Sequence, residues 1–378
     1  MGFDFDTIID RRGGDSYKWN KYAGRDILPL WVADMDFAAP PAVVEALHRR
    51  VDHGVFGYGG PWPALVDSVL EHLEREYGWR IEAEWIVWLP GLVTGLNVAC
   101  RTIDGPVLTA TPVYPPFLSA PGLSGRELAT VPLAQEGQRW GWDFNATETA
   151  LERNHAKLWL LCHPHNPVGR AWNAEELTRI AALAERHDMV VCSDEIHCDL
   201  MLDGRHRPFA TISPQAAARS ITLMAPSKTF NIPGLGCAFA VIPDAALRRV
   251  FKRAMDGIVP HVNILGLSAC EAALRHGGAW RAAMTDYLRG NRERVARAVA
   301  AMPGLAMAPV EATYLTWIET TGMAAPAHFF EQAGVGLSDG RDFGPGDEYS
   351  RFVRLNFGCP RTILDRALER MTQALADL

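Results

Sequence analysis

Lys228 is the residue whose type and surroundings point most directly to chemistry. The sequence has five lysines against 32 arginines, and only Lys228 follows the end of an apolar, strand-like run, residues 220–225. Burial there would lower the lysine pKa and make the amine nucleophilic enough to form a Schiff base with a carbonyl cofactor. The alternative is a lysine at a helix start that extends to solvent. Charged or polar neighbours predict solvated side chains for Lys18, Lys21, Lys157 and Lys252.

Two further polar groups follow apolar runs. Asn166 comes shortly after residues 157–162, and Asp194 comes directly after residues 189–193. Asn166 and Asp194 are 28 positions apart, and Asp194 and Lys228 are 34 apart, so each interval holds one helix and a return strand. Because ligands bind at the carboxyl ends of strands in an open parallel sheet, we expect the amide, the carboxylate and the amine to meet at one edge.

These three groups match the requirements of pyridoxal 5′-phosphate (PLP). Lys228 would bind the cofactor aldehyde, Asp194 would keep the pyridine nitrogen protonated, and Asn166 would contact the ring oxygen. Tyr114, which lies between prolines, would stack on the ring. The phosphate needs free backbone N–H groups at a helix start. A glycine-bearing turn between a strand and a helix offers them at Gly91, Leu92 and Val93.

Each of these residues also has a purely structural interpretation. Asp194 would serve as a helix cap, Asn166 as a turn residue before proline, and Tyr114 as loop packing. A zinc site is the other ligand-binding interpretation, because cysteines and histidines cluster near the same strand ends. The sequence has no Cys-x-x-Cys pair, and Cys162 and Cys192 are expected to face the core, so we predict no metal.

The elements that must position these residues are typical of an α/β protein. Short apolar runs alternate with amphipathic stretches, which predicts a mainly parallel sheet flanked by helices. Helices are expected at residues 92–102 and 174–187, the second beginning after Asn173 as N-cap. Strands are expected at residues 85–89, 106–110, 157–162, 189–193, 220–225 and 238–242.

The pattern changes after about residue 265. A long helical stretch at residues 266–301 precedes strands near 313–318 and 352–356 and a final helix at 362–376. This order indicates a smaller α+β unit that the N-terminal arm joins. We therefore predict two domains. They comprise residues 46–265 (large, cofactor-binding) and residues 1–45 with 266–378 (small).

Several motifs together resemble a known family. The segments that begin at Asn166 (NPVG), Asp194 (DEIH) and Ser227 (SKTFN) are similar to those of fold-type I PLP enzymes of the aminotransferase class I/II superfamily. Residues 28–37 (LPLWVADMDF) and 354–361 (RLNFGCPR) resemble the MalY/PatB group of C–S β-lyases, which includes cystathionine β-lyases. The resemblance spans the whole chain and implies a seven-stranded sheet. It also implies elimination from cystathionine, cysteine or related S-conjugates to pyruvate, ammonia and a thiol.

The resemblance implies further roles. Arg354 would bind the substrate carboxylate, with the backbone of Ala33 nearby. His197 stands where many aminotransferases have a tyrosine that contacts the ring oxygen. Tyr58 resembles a tyrosine that reaches the active site of the neighbouring subunit, which implies a catalytic contribution and a homodimer with shared sites.

One departure from the superfamily concerns the phosphate. Gly236 stands where many members have a phosphate-binding arginine, and Ala225 stands where a hydroxyl residue is common. Without those two residues, the resemblance implies that the PLP phosphate is bound by the backbone N–H groups of residues 91–93, by Ser227 and by Tyr58.

Two other functions remain open at this point. An aminotransferase would use the same residues and differ only in which carbon is reprotonated. A regulator or scaffold that binds PLP only structurally is a lesser alternative. The identity of the substrate is also open, although Trp31, Tyr58, Tyr114 and the loop at residues 336–346 are expected to surround the sulfur substituent.

Composition excludes some classes of partner and favours a reducing compartment. The net charge of −7, without a basic run, argues against nucleic acid and anionic membranes. The N-terminus lacks a signal-peptide pattern, and no apolar run is long enough for a membrane span. Seven scattered cysteines in apolar surroundings are typical of buried, reduced thiols. We therefore expect a soluble cytoplasmic protein, and the family resemblance implies that its substrate is a small amino acid.

Overall fold

The structure is a computed structural model and describes residues 2–377. Strands β1–β15 are Leu28–Pro29, Ile86–Leu89, Val107–Thr111, Leu128–Pro132, Ala134–Glu136, Arg139–Gly141, Leu158–Cys162, Val190–Asp194, Ser220–Met224, Ala238–Val241, Leu305–Met307, Leu315–Thr320, Val335–Gly336, Ser338–Asp339 and Phe352–Asn356. Helices α1–α13 are Tyr17–Asn20, Pro41–Asp52, Pro63–Tyr77, Leu92–Thr102, Pro116–Leu123, Phe144–Asn154, Ala174–Arg186, Pro214–Ala218, Ala245–Met255, Ile264–His276, Gly278–Ala301, Pro326–Gln332 and Arg361–Ala376. Short 3-10 helices are Ala83–Trp85, Phe209–Thr211, Pro233–Leu235 and Gly340–Phe343.

A seven-stranded sheet forms the centre of the larger part, in the order β2-β10-β9-β8-β7-β3-β4. Only β10 runs antiparallel to its neighbours. The six strands expected in this region are present, with ends within one residue of those predicted. The predicted α/β class with a mainly parallel sheet is therefore confirmed.

Helices cover both faces of this sheet. Along β7, Leu158 and Leu160 pack with α4 on one face, whereas Trp159 and Leu161 pack with α7 on the other. Successive strand residues point to opposite faces, so a strand that is covered on both sides must be apolar throughout. Helix α7 begins at the predicted N-cap, where Asn173 Oδ1 accepts a hydrogen bond from Glu176 N at 2.9 Å.

The carboxyl ends of the parallel strands lie level with one another. Cys162 at the end of β7 pairs with Asp194 at the end of β8, and Asp194 pairs with Leu223 near the end of β9. The end of β2 reaches the same level through β10, where Leu89 pairs with Ala238. Residues that follow these strands therefore emerge along one edge.

The smaller part is built on a four-stranded antiparallel sheet in the order β11-β12-β15-β14. Helices α11 and α13 pack against each other, and α11 also packs against β11. Strand β1 pairs with β13, which brings the N-terminal arm to this part of the molecule. The domain boundaries at residues 46 and 265 stay a prediction.

The helical stretch predicted at residues 266–301 is two helices, α10 and α11, and the prediction of one helix is wrong. They separate at Gly277, where an added Cβ would lie 2.4 Å from Phe230 Cε1 and 2.5 Å from Ala273 O. Phe230 therefore leaves no room for a side chain at position 277, and the consecutive glycines Gly277 and Gly278 are themselves a local helix-ending sequence.

The prediction that the Lys18 side chain is solvated is also wrong. It is only 1% exposed, and its Nζ lies 2.7 Å from Asp36 Oδ2. A buried ammonium requires such a partner, because leaving it unpaired costs several kcal/mol. The partner is 18 residues away, and the neighbours of Lys18 in sequence give no sign of it.

The seven cysteines are all buried and free, as predicted. Within residues 2–377, no helix combines the length and the apolar character that crossing a bilayer requires.

Candidate active site

Lys228 lies in the turn that follows β9, at the carboxyl edge of the large sheet. Its side chain is partly buried, and its Nζ donates a hydrogen bond to Ala33 O at 2.5 Å. Burial lowers the pKa of Lys228 to about 8; Arg354 acts in the same direction, whereas Asp34 and Asp194 oppose it. The amine is therefore much easier to deprotonate than an exposed lysine.

Two asparagines fix the backbone of residues 31–37 by hydrogen bonds and thereby place the Ala33 carbonyl beside Lys228. Asn231 Nδ2 donates to Met35 O and Phe37 O, and Asn231 Oδ1 accepts from Met35 N. Asn356 Nδ2 donates to Val32 O and Asp34 O, each at 2.7 Å. Both asparagines belong to the motifs that carried the family resemblance, and the structure shows what they contact.

Asp194 ends β8 and is 4% exposed. Its carboxylate has one hydrogen-bond donor within the described chain, Ile196 N, at 3.1 Å from Oδ1. Burial raises the pKa of Asp194 to about 7 and Glu195 adds to this effect, while the Ile196 N–H and Lys228 act against it. A buried carboxylate with so few partners favours a cationic or N–H donor ligand.

Arg354 comes from β15 of the smaller part and meets Asn166 across the cleft. Arg354 Nη1 donates to Asn166 Oδ1 at 3.0 Å, and Nη2 donates to Trp31 O at 2.7 Å and to Ser338 Oγ at 3.2 Å. Burial lowers the pKa of Arg354 to about 10. Its Nε has no partner among residues 2–377, so the guanidinium keeps bonding capacity for a carboxylate ligand.

His197 and Tyr114 complete the enclosure of the cleft. His197 is buried, and burial lowers the pKa of its imidazole to about 3, helped by Lys228 and Arg354. In the described part of the chain, no group bonds its Nδ1. Tyr114 N donates to Asn166 O at 3.1 Å, and burial raises the pKa of the Tyr114 phenol.

The start of α4 is suited to an anion. Gly91 is its N-cap and offers no side chain to the N–H groups of the first turn, which include those of Leu92 and Val93. Gly236 lies beside this turn, because a Cβ there would be 3.2 Å from Pro90 O. Ser227 precedes Lys228 and is partly buried.

Tyr58 is not brought to the site of its own chain. It is fully exposed, in the segment between α2 and α3. Tyr58 therefore lies apart from the group that Lys228, Asp194, Asn166, Arg354, His197, Tyr114 and Ala33 form.

These residues fit PLP. Asp194 offers a buried carboxylate to a pyridinium N–H, and Lys228 offers an amine of lowered pKa to an aldehyde. Asn166 Oδ1 is occupied by Arg354, so its Nδ2 is left to donate to a ring oxygen. The unpartnered Nδ1 of His197 is a second buried group that a ligand would satisfy.

Sequence reasoning missed Tyr314 and two contacts of Arg354. Tyr314 donates from its hydroxyl to Ala33 O at 3.0 Å, and Ser338 and the Trp31 carbonyl hold Arg354. No local signal marks Tyr314, because it acts on a residue that is distant in sequence. Trp31 and the loop that contains Ser338 were expected near the substrate, but their contacts with Arg354 have no sequence pattern.

Known proteins match the chain over its whole length. The family model described as aminotransferase class I and II matches residues 25–371. Cystathionine beta-lyase PatB of Bacillus subtilis (strain 168) is 37% identical, over 99% of this chain and 100% of its own. The crystal structure of OvoB has a TM-score of 0.96 at 51% identity, and that of cystalysin from Treponema denticola, which contains a PLP cofactor, has 0.94 at 33%; each covers 100% of both chains. The chain belongs to the aminotransferase class I and II family, as its resemblance to the MalY/PatB group predicted.

Proposed function

We propose that this protein is a PLP-dependent C–S β-lyase that cleaves cystathionine, cysteine or related cysteine S-conjugates. The observation that carries the proposal is the convergence of the Lys228 amine, the Asp194 carboxylate and the Arg354 guanidinium on one cleft. Similarity to PatB over the whole chain favours elimination over other reactions of the family. The products would be pyruvate, ammonia and a thiol.

Each residue contributes a definite part of this reaction. When bound, PLP supplies an electron-accepting ring that stabilises negative charge at the substrate Cα. Arg354 holds the substrate carboxylate and so fixes the direction of the Cα–H bond. Asp194 would hold the cofactor through its ring nitrogen, Asn166 and His197 would orient the ring, and Tyr114 would stack on the ring face.

Proton transfer falls to Lys228. With PLP bound, the freed Lys228 Nζ would take the proton from Cα. Its pKa of about 8 gives a far larger basic fraction near neutral pH than an exposed lysine has, and the basic form predominates above pH 8. The Cβ–S bond then breaks, its electron pair leaves with sulfur, and the thiolate takes up a proton. The remaining three-carbon unit is hydrolysed to pyruvate and ammonia.

Transamination is the second candidate, because the matching family model is that of aminotransferases. It requires the same Lys228, Asp194 and Arg354. The two reactions separate at one point: elimination would break the Cβ–S bond, whereas transamination would leave that bond intact and need a keto acid to complete the cycle.

The test uses purified protein reconstituted with PLP. Wild type should absorb in the visible region and release pyruvate and thiol from cystathionine without added keto acid. Lys228→Ala should lose both properties, whereas Lys252→Ala, which changes an exposed lysine, should keep them. Product that forms only after a keto acid is added would favour transamination, and an uncoloured wild type would refute the cofactor.

We further propose that the enzyme is a homodimer in the cytoplasm. Val55 and Phe56 are exposed beside Tyr58, and such an apolar segment favours burial against a second copy. Tyr58 would then act in the site of the partner subunit and, with Ser227 and the start of α4, contact the cofactor phosphate. Seven buried free thiols favour a reducing compartment.

A further inference from the structure

An arginine of the N-terminal arm holds the three residues that follow Ala33. Arg11 Nη2 donates to Asp34 Oδ2 at 2.7 Å. Its Nη1 donates to Asp36 Oδ1 at 2.7 Å and to Met35 O at 3.3 Å. One planar guanidinium thus fixes two carboxylates and the backbone between them.

The two carboxylates are not compensated to the same extent. Asp36 also accepts from Lys18 Nζ at 2.7 Å and from Trp19 Nε1 at 3.0 Å. Asp34 has a second oxygen, Oδ1, that is buried and has no hydrogen-bond partner within residues 2–377, and Lys18 Nζ is 3.9 Å from it. In the described part of the chain, Arg11 is therefore the one cation that bonds the Asp34 carboxylate.

Asp34 directly follows the residue whose carbonyl contacts the Lys228 amine. Ala33 O accepts from Lys228 Nζ at 2.5 Å and from the Tyr314 hydroxyl at 3.0 Å. Standard bond lengths then put the Asp34 carboxylate no more than about 10 Å from Nζ. Over that distance within a protein, a carboxylate favours the charged form of an amine. Burial lowers the pKa of Lys228, and Asp34 is the carboxylate that opposes this effect most strongly.

Four other ionisable groups surround the Lys228 amine and come from other elements: Asp194, Arg354, His197 and Tyr314. Burial keeps the last two neutral near pH 7, because it lowers the pKa of the imidazole to about 3 and raises the pKa of the phenol well above its usual value. Among residues 2–377, Arg11 bonds none of these four side chains. Its charge therefore acts on Lys228 mainly through Asp34.

We propose that Arg11 is a positioning residue for Lys228 and controls, through Asp34, how readily the amine loses its proton. Arg11 compensates part of the Asp34 charge, so the amine reaches its neutral, nucleophilic form closer to neutral pH. Without that compensation, Asp34 retains the proton on Lys228. The inference rests on the proposed reaction of Lys228 with PLP, and it holds for elimination and transamination alike.

Removing one charge at a time should move the same measurement in opposite directions. The measurement is the midpoint of the pH dependence of PLP uptake by the apoenzyme, followed by visible absorbance in stopped flow. Arg11→Gln should raise the midpoint by about 0.5–1 pH unit, which slows uptake at pH 7 about three- to tenfold. Asp34→Asn should lower the midpoint by a similar amount. Both replacements keep hydrogen-bonding groups, and Asn231 and Asn356 still hold the backbone.

Two further variants separate charge from structure. Arg11→Lys keeps the charge and should keep the wild-type midpoint. Arg25→Gln removes an exposed arginine of the same arm that pairs with Glu331 at 2.8 Å, and it should also titrate as wild type. Circular dichroism shows whether each variant is folded. A purely structural role for Arg11 would lower stability without moving the midpoint in opposite directions in the two charge variants.

The outcomes separate this inference from the proposed function. If wild type takes up PLP and the midpoints of Arg11→Gln and Asp34→Asn stay at the wild-type value, or move in the same direction, the inference is wrong and the cofactor chemistry stands. If Arg11→Gln does not fold, the sign of the shift in Asp34→Asn decides. If wild type takes up no PLP, the proposed function and the inference both fail.

Discussion

At the scale of single residues, the site depends on an amine and a carboxylate whose protonation is set by burial. Lys228 has its pKa lowered to about 8, and Asp194 has its pKa raised to about 7. Both shifts have the same cause, since low-polarity surroundings disfavour the charged form of either group. Each residue is thereby prepared for a partner: Lys228 for an aldehyde, and Asp194 for a protonated ring nitrogen.

The lowered pKa of Lys228 predicts a pH dependence for cofactor uptake. Only the neutral amine attacks an aldehyde, so the rate of reconstitution of the apoenzyme should rise up to tenfold per pH unit below pH 8 and level off above it. Stopped-flow absorbance measures this rate. A rate that still rises steeply beyond pH 9.5 or so would mean that Lys228 titrates like an exposed lysine.

The contribution of Arg354 to activity is expected to depend on the planar guanidinium group, which can form two parallel hydrogen bonds to a carboxylate, and not only on its charge. Arg354→Lys should lower kcat/KM by about 100-fold, roughly 2.7 kcal/mol, because an ammonium cannot bond Asn166, the Trp31 carbonyl and a substrate carboxylate together. Visible absorbance should persist, since the cofactor contacts remain. Arg351→Lys, at an exposed arginine just before β15, is the control and should behave as wild type. Equal kcat/KM for Arg354→Lys and wild type would exclude a bidentate role.

At the scale of elements, packing between distant segments restricts which residue can stand between two helices. Residues 266–301 contain the pair Gly277 and Gly278, a local sequence that favours a helix end. Phe230 also occupies the space that a Cβ at position 277 would need. Helix propensity differs by about 1 kcal/mol between glycine and alanine, less than the cost of such an overlap in a packed core.

Gly277→Ala therefore should lower the free energy of unfolding by about 1–3 kcal/mol. Gly278→Ala is the matched control, because no atom lies within 4 Å of an added Cβ there, and its effect should stay within about 0.5 kcal/mol. Chemical denaturation followed by circular dichroism measures both. If the Gly277→Ala variant is as stable as the Gly278→Ala variant, the Phe230 ring can shift to make room for the added Cβ at little cost in free energy.

At the scale of the whole molecule, the proposed role of Tyr58 requires a second chain, because Tyr58 is exposed and lies away from the site residues of its own chain. All other proposed cofactor residues surround the carboxyl edge of one chain's sheet, whereas Tyr58 lies on an exposed segment with Val55 and Phe56. A two-fold dimer would place each such segment at its partner's cleft.

Mixed dimers test this arrangement. Tyr58→Ala and Lys228→Ala should each be inactive or nearly so, and subunit exchange between them should restore about a quarter of wild-type activity, because half the dimers then contain one intact site. Lys228→Ala mixed with Asp194→Ala is the control, since both residues belong to the same chain's site and no recovery is expected. Absence of recovery in the first mixture would place Tyr58 outside the partner's site.

The sequence by itself determined the residues that follow the strands. Asn166, Asp194 and Lys228 were identifiable because strand periodicity is local, and polar residues directly after parallel strands must share an edge. The structure bears out this placement through the register that joins Cys162, Asp194 and Leu223. The fold class followed for the same reason.

Only the tertiary structure decided which distant segments close the site. Lys228 meets Ala33 across 195 positions, and Arg354 meets Asn166 across 188. The burial of Lys18 likewise depends on a partner elsewhere in the chain. Such contacts produce no periodic pattern in the amino-acid sequence, because packing and charge pairing depend on proximity in space and not on spacing along the sequence.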